Sequence, residues 1–445
     1  MLIRRASVLS GGVVDIRVGE RITEIAPTLR PETGEQVFDA AGGLVVPGLH
    51  DHHMHVRSAA AAAESVAVGP PQVRSRTDLA QALAAAAPQD GWIRAVGYHE
   101  AVAGPLDRHQ LDALVPVVPL RIQHRSGALW ILNSAGLALV GLPDHPDGRL
   151  LRTEVSPVLP RHPPPLRGLS DALLTHGVTG ATDATPGQTQ ADIEALGAAR
   201  HSGDFAPRLH CLAPPGIGPV RGVTLGPTKR ILDDGTLDLH ALGHWIAHCH
   251  GAGRGVAVHC VTTGQLVVTL AALRSAGTHP DDRIEHAAVV PADCLDDLAD
   301  LGVTVVTQPN FVAERGDEYL TDVPADEHDQ LWRVRSLRRA GVRLALSTDA
   351  PFGSADPWAA MRAAVHRRTP GGAVLGADER VTPLEALLGF LGAPDSPGTP
   401  RRLAVGERGD LCVLAAPAAE VLAELSSDLV AATVIDGKLL WQRGF

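Results

Sequence analysis

A histidine-rich segment at residues 47–55 carries the strongest chemical signal in this chain. It reads Pro-Gly-Leu-His-Asp-His-His-Met-His and continues an apolar, strand-like run. Because alternate residues of a strand face the same side, His53 and His55 are expected to point the same way. Paired imidazoles commonly bind one metal ion, so the segment predicts a metal site. The competing interpretation, a histidine-rich surface loop, fits poorly with a segment that continues a strand.

Three further residues of the metal-binding type each stand at the end of a separate strand-like run: His259, His286 and Asp349. Enzymes built as a barrel of alternating strands and helices place their catalytic groups at these strand ends. One such histidine alone is more often a core residue. Their repetition at successive strands, together with the His53/His55 pair, predicts that all five side chains converge on one metal centre.

Lysine is almost absent from this chain, and that makes Lys229 informative. Among 39 basic residues only Lys229 and Lys438 are lysines. Lys438 lies beside a hairpin turn and fits a surface role, whereas Lys229 lies on a strand among the candidate ligands. An amine can be neutral and nucleophilic, which a guanidinium cannot. A neutral lysine reacts with carbon dioxide to give a carbamate, whose two oxygens can bridge the ions of a two-metal site.

Eight apolar runs are expected to be the parallel strands that position these residues. Ala/Leu-rich helical stretches separate them, an alternation that is typical of βα units in a parallel sheet. Eight such units close a (β/α)8 TIM barrel, so the predicted fold class is α/β. The predicted strands are 44–50, 178–183, 208–213, 227–232, 255–261, 283–287, 303–308 and 342–348.

Strand-like pieces at both chain ends predict a second, smaller domain. Residues 1–43 and 396–445 are expected to form a composite β-sandwich domain, in which Asp436-Gly437 is a two-residue hairpin turn. Residues 44–395 are expected to form the metal-dependent barrel. This arrangement makes one large domain with a small accessory one.

The barrel is expected to contain an insertion, residues 56–165, which is too long for an ordinary loop and should shape substrate access. A helix near 78–87 and a strand at 120–124 are predicted inside it, and a proline-rich run at 157–165 is predicted to end it as a stiff linker. His124 and Arg125 in this segment could either orient a substrate carbonyl or carboxylate or have a structural role, and Tyr98 is a further candidate substrate-binding residue.

The composition restricts the class of protein. A net charge of -11 and a pI near 6.0 give no basic surface for nucleic acid or anionic lipid, so small molecules are the expected partners. Neither a membrane span nor a secretory signal is recognisable, which predicts a cytoplasmic location. The five cysteines contain no CxxC pair, so neither a disulfide framework nor a thiolate zinc site is expected. The oligomeric state stays open, a homo-oligomer included.

The chain resembles the amidohydrolase superfamily and, within it, amidohydrolase family 3, which contains N-substituted formamide deformylases. The match consists of a Pro-Gly-Leu-x-Asp-x-His-x-His opening, a lysine on the fourth strand, histidines on the fifth and sixth, and an aspartate on the eighth. It covers nearly the whole chain. Further matching runs lie at 123–125, 133–134, 177–179, 308–309, 314–317 and 347–351.

The resemblance implies a divalent metal centre, with zinc as the default ion and one or two ions bound. In that family pattern His53, His55 and Asp349 would hold one metal. His259 and His286 would hold a second metal, and carboxylated Lys229 would bridge the two. Metal coordination lowers the pKa of water from 15.7 toward about 7, giving a hydroxide nucleophile. Asp349 is implied as the general base and acid. The implied ligands are His53, His55, Lys229, His259, His286 and Asp349.

The implied reaction is hydrolysis of a carbon-nitrogen bond, that of an N-acyl or N-formyl amide of a small molecule. The same set of metal ligands also catalyses hydrolysis of cyclic amides, imides and lactones, and aminohydrolase reactions on heterocycles. The choice of bond therefore rests on family analogy. A degenerate barrel, retained as a non-catalytic binding protein, is a further alternative. Degeneration predicts broken ligand positions, whereas all six are present here in order.

Overall fold

A computed structural model describes residues 1–151, 154 and 163–444. Residues 157–162 of the predicted proline-rich linker lie outside the described residues. The chain divides into two compact units. The larger unit comprises Met1–Val56 and Leu166–Phe445, and the inserted unit comprises Arg57–Pro165. Among the described helices, none has the length and apolar character needed to cross a membrane.

The core of the larger unit contains two parallel sheets, which makes the fold α/β. With the strands labelled β1 to β9 in chain order, one sheet has the order β4-β3-β2-β1 and the other β5-β6-β7-β8-β9. The strands are β1 (Leu49–Met54), β2 (Val178–Asp183), β3 (Arg208–Leu212), β4 (Val223–Gly226), β5 (Thr228–Ile231), β6 (Val256–Cys260), β7 (Arg283–His286), β8 (Thr304–Thr307) and β9 (Arg343–Leu346).

The break between the two sheets falls at Pro227. The sequence predicts one strand at 227–232, but the structure has β5 there and an additional strand, β4, just before it. Strand β4 pairs with β3, and β5 pairs with β6. Proline has no N–H to donate to a ladder, which explains why the pairing changes partner at this residue. In the described part of the chain the expected barrel is therefore not one continuous hydrogen-bonded sheet.

The opposite edges of the two sheets meet where the strands end. The N–H of Asp349, after β9, donates to the carbonyl of His53 in β1 at 2.9 Å, and the N–H of His55 donates to the carbonyl of Ala350 at 2.7 Å. These hydrogen bonds bring the carboxyl ends of the first and last parallel strands together. Barrel enzymes place their active sites at this end.

The first predicted strand, 44–50, is wrong in its bounds. Val45–Pro47 pairs antiparallel with Leu411–Leu414, whereas the parallel strand β1 begins at Leu49. Gly48 separates the two pieces, and a Cβ there would lie 2.2 Å from the side chain of Thr179. Only glycine allows the chain to pass so close to β2 while it changes sheets.

Helices flank the parallel strands, and five of the ten described in this unit begin at a side-chain cap. Gln190–Ser202 starts with a capping box at Thr189, and Pro357–His366 starts at Asp356 with proline in the first turn. The sequence before the last strand predicts a helix at 329–340, but only Arg335–Arg339 is α-helical there. The remaining helices of this unit are Arg167–Thr175, Leu239–Gly251, Thr263–Ala276, Cys294–Asp300, Asn310–Asp322, Pro383–Leu388 and Ala418–Glu424.

Two four-stranded sheets are built from the chain ends. Apolar residues of both sheets, including Ile16, Val45 and Leu411, pack in one buried cluster. Asp436 and Gly437 have φ angles of 53° and 67°, as a two-residue hairpin turn requires, so that turn prediction is confirmed. The strands are Leu2–Ser7, Val13–Val18, Ile22–Ala26 and Val37–Asp39 in one sheet, and Val45–Pro47, Leu411–Leu414, Val430–Ile435 and Lys438–Gln442 in the other.

The inserted unit has its own five-stranded sheet and its own buried apolar cluster. Strands Ile93–Tyr98 and Leu120–His124 lie parallel at the centre of this sheet. The sequence predicts the second of these strands and a helix, found at Arg76–Ala84, but misses the other elements. Those are strands Val66–Ala67, Ile93–Tyr98, Leu129–Leu132 and Arg149–Leu151, and helices Val56–Ala63, Glu100–Ala103, Arg108–Leu114 and Ser134–Leu139.

Candidate metal centre

The predicted first-metal ligands lie together at the carboxyl ends of β1 and β9. The Oδ1 atom of Asp349 is 3.5 Å from Nε2 of His53 and 3.4 Å from Nε2 of His55. One ligand atom from each of the three side chains lies within 4.8 Å of the others. Two imidazoles and a carboxylate at this spacing form a set that a divalent cation can bind.

The predicted second-metal ligands adjoin this group. The rings of His259 and His286 have centroids 4.5 Å apart, and the His286 ring lies 4.7 Å from that of His53. Lys229, on β5, is close enough for its charge to add to burial in lowering the pKa of His259 to about 3. The structure thus brings all six predicted residues into one cluster.

Several polar atoms of this cluster are buried and unsatisfied. Nε2 of His53, Nζ of Lys229 and Oδ1 of Asp349 are buried and have no hydrogen-bond partner among the described residues. Leaving one buried polar group unpaired costs about 1–3 kcal/mol. Nε2 of His53 and Oδ1 of Asp349 are only 3.5 Å apart, so leaving both unpaired would be costly unless a ligand satisfies them. The residues present therefore fit a bound divalent cation.

Burial favours the uncharged forms that metal binding and carbamate chemistry require. Burial lowers the pKa of both His53 and His286 well below the usual range of an imidazole. Burial likewise lowers the pKa of the Lys229 amine to about 8. Neutral imidazole is the form that binds a metal.

The backbone is strained at two of the candidate ligands. Asp349 has a φ of 56° and His286 a φ of 70°, in the left-handed region that residues other than glycine rarely adopt. Such strain costs about 1–3 kcal/mol per residue and concentrates at functional sites. At Asp349 it is held by Asp51, whose carboxylate accepts hydrogen bonds from the hydroxyl of Thr348 at 2.5 Å and from its N–H at 3.2 Å.

A buried carboxylate that sequence reasoning missed, Glu285, contacts the metal cluster. Its Oε2 contacts Nδ1 of His53, and its Oε1 accepts a hydrogen bond from Nε of Arg283 at 2.7 Å. The side chain of Glu285 is fully buried. A carboxylate on Nδ1 fixes the tautomer that presents Nε2 to a metal, a common arrangement around metal-bound histidines.

Two other histidines are oriented in the same way. Nδ1 of His286 is 2.8 Å from Oε1 of Gln308, and Nδ1 of His55 is 3.3 Å from Oγ1 of Thr185. In both rings this leaves Nε2 as the nitrogen available to a metal. Three of the four histidines in the cluster, His53, His55 and His286, are therefore held in the same tautomer.

Replacing Glu285 by glutamine is expected to lower metal affinity about 10- to 100-fold, since supporting groups of this kind have effects of that size. Competition titrations with a zinc chelator would measure the zinc affinity of the purified variant and of the wild type. Glu420, exposed on a surface helix, offers a matched control as Glu420→Gln. Unchanged affinity in Glu285→Gln would mean that Glu285 does not position His53.

The predicted substrate-binding residues all lie in the inserted unit. Tyr98 is fully buried in its core, and its hydroxyl donates to the carbonyl of Gly104 at 2.5 Å. Nε2 of His124 lies 2.9 Å from Oε2 of Glu100, and the N–H of Arg125 donates to the Tyr98 carbonyl. The predicted roles of these residues in substrate binding remain predictions.

Comparison with known proteins gives consistent matches. The amidohydrolase family model Amidohydro_3 matches residues 36–440. The N-substituted formamide deformylase of Arthrobacter pascens is 26% identical, over 99% of this chain and 95% of that protein. An uncharacterized metal-dependent hydrolase from Pyrococcus furiosus has a TM-score of 0.72 at 19% identity, covering 92% of this chain and 97% of that one.

A second solved structure shares the fold at lower similarity. It is atrazine chlorohydrolase TrzN from Arthrobacter aurescens TC1 complexed with zinc, with a TM-score of 0.56 at 15% identity, covering 99% of this chain and 95% of that one. The predicted resemblance is confirmed by the family match, which spans most of the sequence. The chain belongs to the amidohydrolase family, in the family 3 branch, and is a hydrolase of carbon-nitrogen bonds.

Proposed function

We propose that this protein hydrolyses an amide-type carbon-nitrogen bond of a small molecule at a divalent metal centre formed by the six clustered residues. The observation that carries the proposal is the ligand set of His53, His55 and Asp349, in which Nε2 of His53 and Oδ1 of Asp349 are 3.5 Å apart, buried and without hydrogen-bond partners among the described residues. The buried Nζ of Lys229 likewise has no hydrogen-bond partner among the described residues.

The chain offers two groups of metal ligands. His53, His55 and Asp349 would hold one ion, and His259 and His286 a second. When bound, a divalent ion in such a site lowers the pKa of water toward about 7 and polarises a carbonyl oxygen. Zinc suits imidazole and carboxylate ligands, and the zinc complex of the related chlorohydrolase supports this choice.

Lys229 is proposed to be carboxylated and to bridge the two ions. The neutral amine attacks carbon dioxide, a nitrogen-carbon bond forms as one carbon-oxygen π bond opens, and one amine proton passes to water, which leaves an anionic carbamate with two oxygens. The support is the position of Nζ, which is buried and has no hydrogen-bond partner among the described residues. Carboxylation would convert this isolated buried amine into an anionic group facing the histidines.

Asp349 is proposed to move the proton during hydrolysis. Its carboxylate lies at the centre of the cluster, within 3.4 Å of His55 and 3.5 Å of His53. From this place it can accept the proton of the attacking water and return it to the leaving nitrogen, which must depart as an amine. The Asp51 and Thr348 hydrogen bonds hold its backbone in the strained conformation that this position requires.

The bond is proposed to be that of an N-formyl or N-acyl amide. The support is the relative named N-substituted formamide deformylase, which aligns over nearly the full length of both chains. A panel of N-formyl amines, N-acyl amides, cyclic imides, lactones and aminopurines, each assayed with added zinc, would test the choice. Turnover of the lactone alone, or release of ammonia from the aminopurine alone, would contradict it. Tyr98, His124 and Arg125 remain the proposed substrate contacts.

Metal removal is expected to abolish activity and to be reversible. Dialysis against a chelator should reduce turnover of the best panel substrate to background, and added zinc should restore it in proportion to the zinc bound per chain. Parallel measurement of circular dichroism would show that the apoprotein stays folded. Full activity in protein that elemental analysis shows to be free of metal would contradict a metal-dependent mechanism.

The architecture proposed for this function is a single (β/α)8 barrel, interrupted at Pro227, with a composite β-sandwich. The strand-end hydrogen bonds between β1 and the segment after β9 support closure of the barrel, and the shared apolar cluster of the two terminal sheets supports the sandwich. The boundaries expected from the sequence are 1–43 with 396–445 for the sandwich and 44–395 for the barrel, including the insertion at 56–165. The first of them shifts to the end of strand Val45–Pro47, because this strand pairs within a terminal sheet.

A further inference from the structure

The loop that carries Asp349 is held against one helix by three side chains. Residues 348–354 follow β9 and form this segment, the Asp349 loop. Helix Asn310–Asp322 follows β8, and its first two turns contain Asn310, Glu314 and Arg315. We propose that these three side chains clamp the Asp349 loop and thereby position the Asp349 carboxylate for proton transfer. This inference rests on the proposed function, in which Asp349 moves the proton.

Asn310 and Glu314 hold the two ends of the Asp349 loop. Nδ2 of Asn310 donates to the carbonyl of Thr348 at 3.1 Å, and Oε1 of Glu314 accepts from the N–H of Ser354 at 3.0 Å. The two side chains also contact each other, because Nδ2 of Asn310 lies 3.3 Å from Oε1 of Glu314. One carboxylate oxygen thus accepts from the backbone of the loop and from a side chain of the helix. Both ends of the loop are therefore tied to one part of the helix.

Arg315 holds the middle of the Asp349 loop. Its Nη2 donates to the carbonyl of Phe352. The guanidinium carbon lies 4.3 Å from the centre of the Phe311 ring on the same helix, a contact that favours this orientation of the side chain. The ring of Phe352 packs edge-on against the ring of His55, with centroids 5.3 Å apart. Arg315 is therefore connected to a candidate metal ligand through a single residue of the loop.

Gly353 allows the Asp349 loop to lie this close to the helix. A Cβ at this position would be 2.2 Å from Nδ2 of Asn310 and 2.5 Å from the carbonyl oxygen of Thr348. Both distances are too short for non-bonded atoms, so any larger residue would push the loop away from the helix. The loop and the helix are packed against each other as closely as their backbones allow, which leaves the loop little room to move.

The conformation of Asp349 requires this kind of support. Its φ of 56° is strained, and its carbonyl accepts from the N–H of Phe352 at 2.8 Å and from that of Gly353 at 3.3 Å. A strained residue keeps its conformation only when its surroundings fix it from several sides. Asp51 supports the loop through Thr348, and the clamp supports it from the helix. Without the clamp, the Asp349 carboxylate is expected to leave the position that proton transfer requires.

Steady-state kinetics of the full-length protein at saturating zinc, with zinc content measured, test the clamp. Glu314→Leu removes the oxygen that accepts from Ser354 and Asn310. It is expected to lower kcat about 10- to 100-fold, because misplacing a reacting group by about 1 Å has effects of that size, while KM changes much less. Glu314→Gln keeps an oxygen that can accept both hydrogen bonds and should restore most of kcat. The exposed Glu420 provides the control Glu420→Leu, which should match wild type.

Hydrogen exchange of the zinc-free protein gives a readout that does not depend on activity. Peptides covering 348–354 are expected to exchange about tenfold faster in Glu314→Leu than in wild type, while peptides from β1 exchange equally. If Glu314→Leu does not fold, Gly353→Ala tests the clamp from the loop side and should show the same two effects. Wild-type kcat in the folded variant would overturn the proposal. If wild type hydrolyses no panel substrate, the proposed function fails, and equal loop exchange in wild type and variant would separately overturn the clamp.

Discussion

Replacing Asp349 by asparagine is expected to lower kcat by about 10²- to 10⁴-fold, which is the contribution of a positioned general acid and base. Asparagine keeps the shape of the side chain but cannot accept the water proton. It also removes a charged ligand, so the fall in rate should be measured at saturating zinc with the best amide of the substrate panel. KM should change much less than kcat, since the lost interaction is made in the transition state.

The control for this experiment is Asp378→Asn, a change at an exposed aspartate in a surface turn. Its kcat should match that of wild type within experimental error. Zinc content must be measured for both variants, because loss of the ion alone would also lower the rate. An Asp349→Asn protein that binds zinc normally and keeps a kcat within a few-fold of wild type would show that another group moves the proton.

Replacing Lys229 by methionine is expected to reduce kcat/KM by about a hundredfold or more. Methionine has a similar length and fits a buried site, but it cannot form a carbamate to bridge two ions. Loss of metal-based transition-state stabilisation of about 3 kcal/mol corresponds to about a hundredfold in rate. The zinc content should fall in the same preparation, because the bridging ligand is lost.

The chain offers a matched control in its other lysine. Lys438 is exposed on the hairpin strand Lys438–Gln442, so Lys438→Met should leave both zinc content and kcat/KM unchanged. Growth in ¹³C-labelled carbon dioxide should also give a carbamate carbonyl signal in wild type that is missing in Lys229→Met. Wild-type activity and zinc content in Lys229→Met would contradict the bridging role.

The ligands of the candidate centre could be predicted from the sequence because they depend on local signals. Except for Lys229, which lies near the start of β5, each one stands at the carboxyl end of an apolar run, and parallel strands bring those ends together whatever the loops between them do. His53 and His286 are more than two hundred residues apart, yet their rings lie 4.7 Å from each other. Strand position alone was sufficient to predict that proximity.

Glu285 could not be found in this way, for a physical reason. In a regular strand, neighbouring residues face opposite sides, so a residue next to His286 is expected to point away from the centre. The left-handed φ of 70° at His286 interrupts that alternation. Both side chains can then reach the cluster. The rule that alternate strand residues face the same side fails at such a residue. The contact between the buried Glu285 carboxylate and His53 is therefore visible only in the three-dimensional structure.

Local sequence patterns also could not predict the change of sheet pairing at Pro227 or the short strands of the inserted unit. Pro227 reads as the start of a strand, but its missing N–H ends one pairing and starts another. Short strands such as Val66–Ala67 carry too few residues to show a period. They become strands because longer neighbours in the sheet provide the pairing.

Anomalous diffraction at the zinc edge, from crystals of the full chain grown with zinc, tests the central claim most directly. The claim is that His53, His55, Lys229, His259, His286 and Asp349 together hold the catalytic metal. The expected result is a strong peak within about 2.0–2.2 Å of Nε2 of His53 and of a carboxylate oxygen of Asp349. Zinc-loaded crystals with no peak at this cluster, from protein that hydrolyses its substrate, would contradict the account.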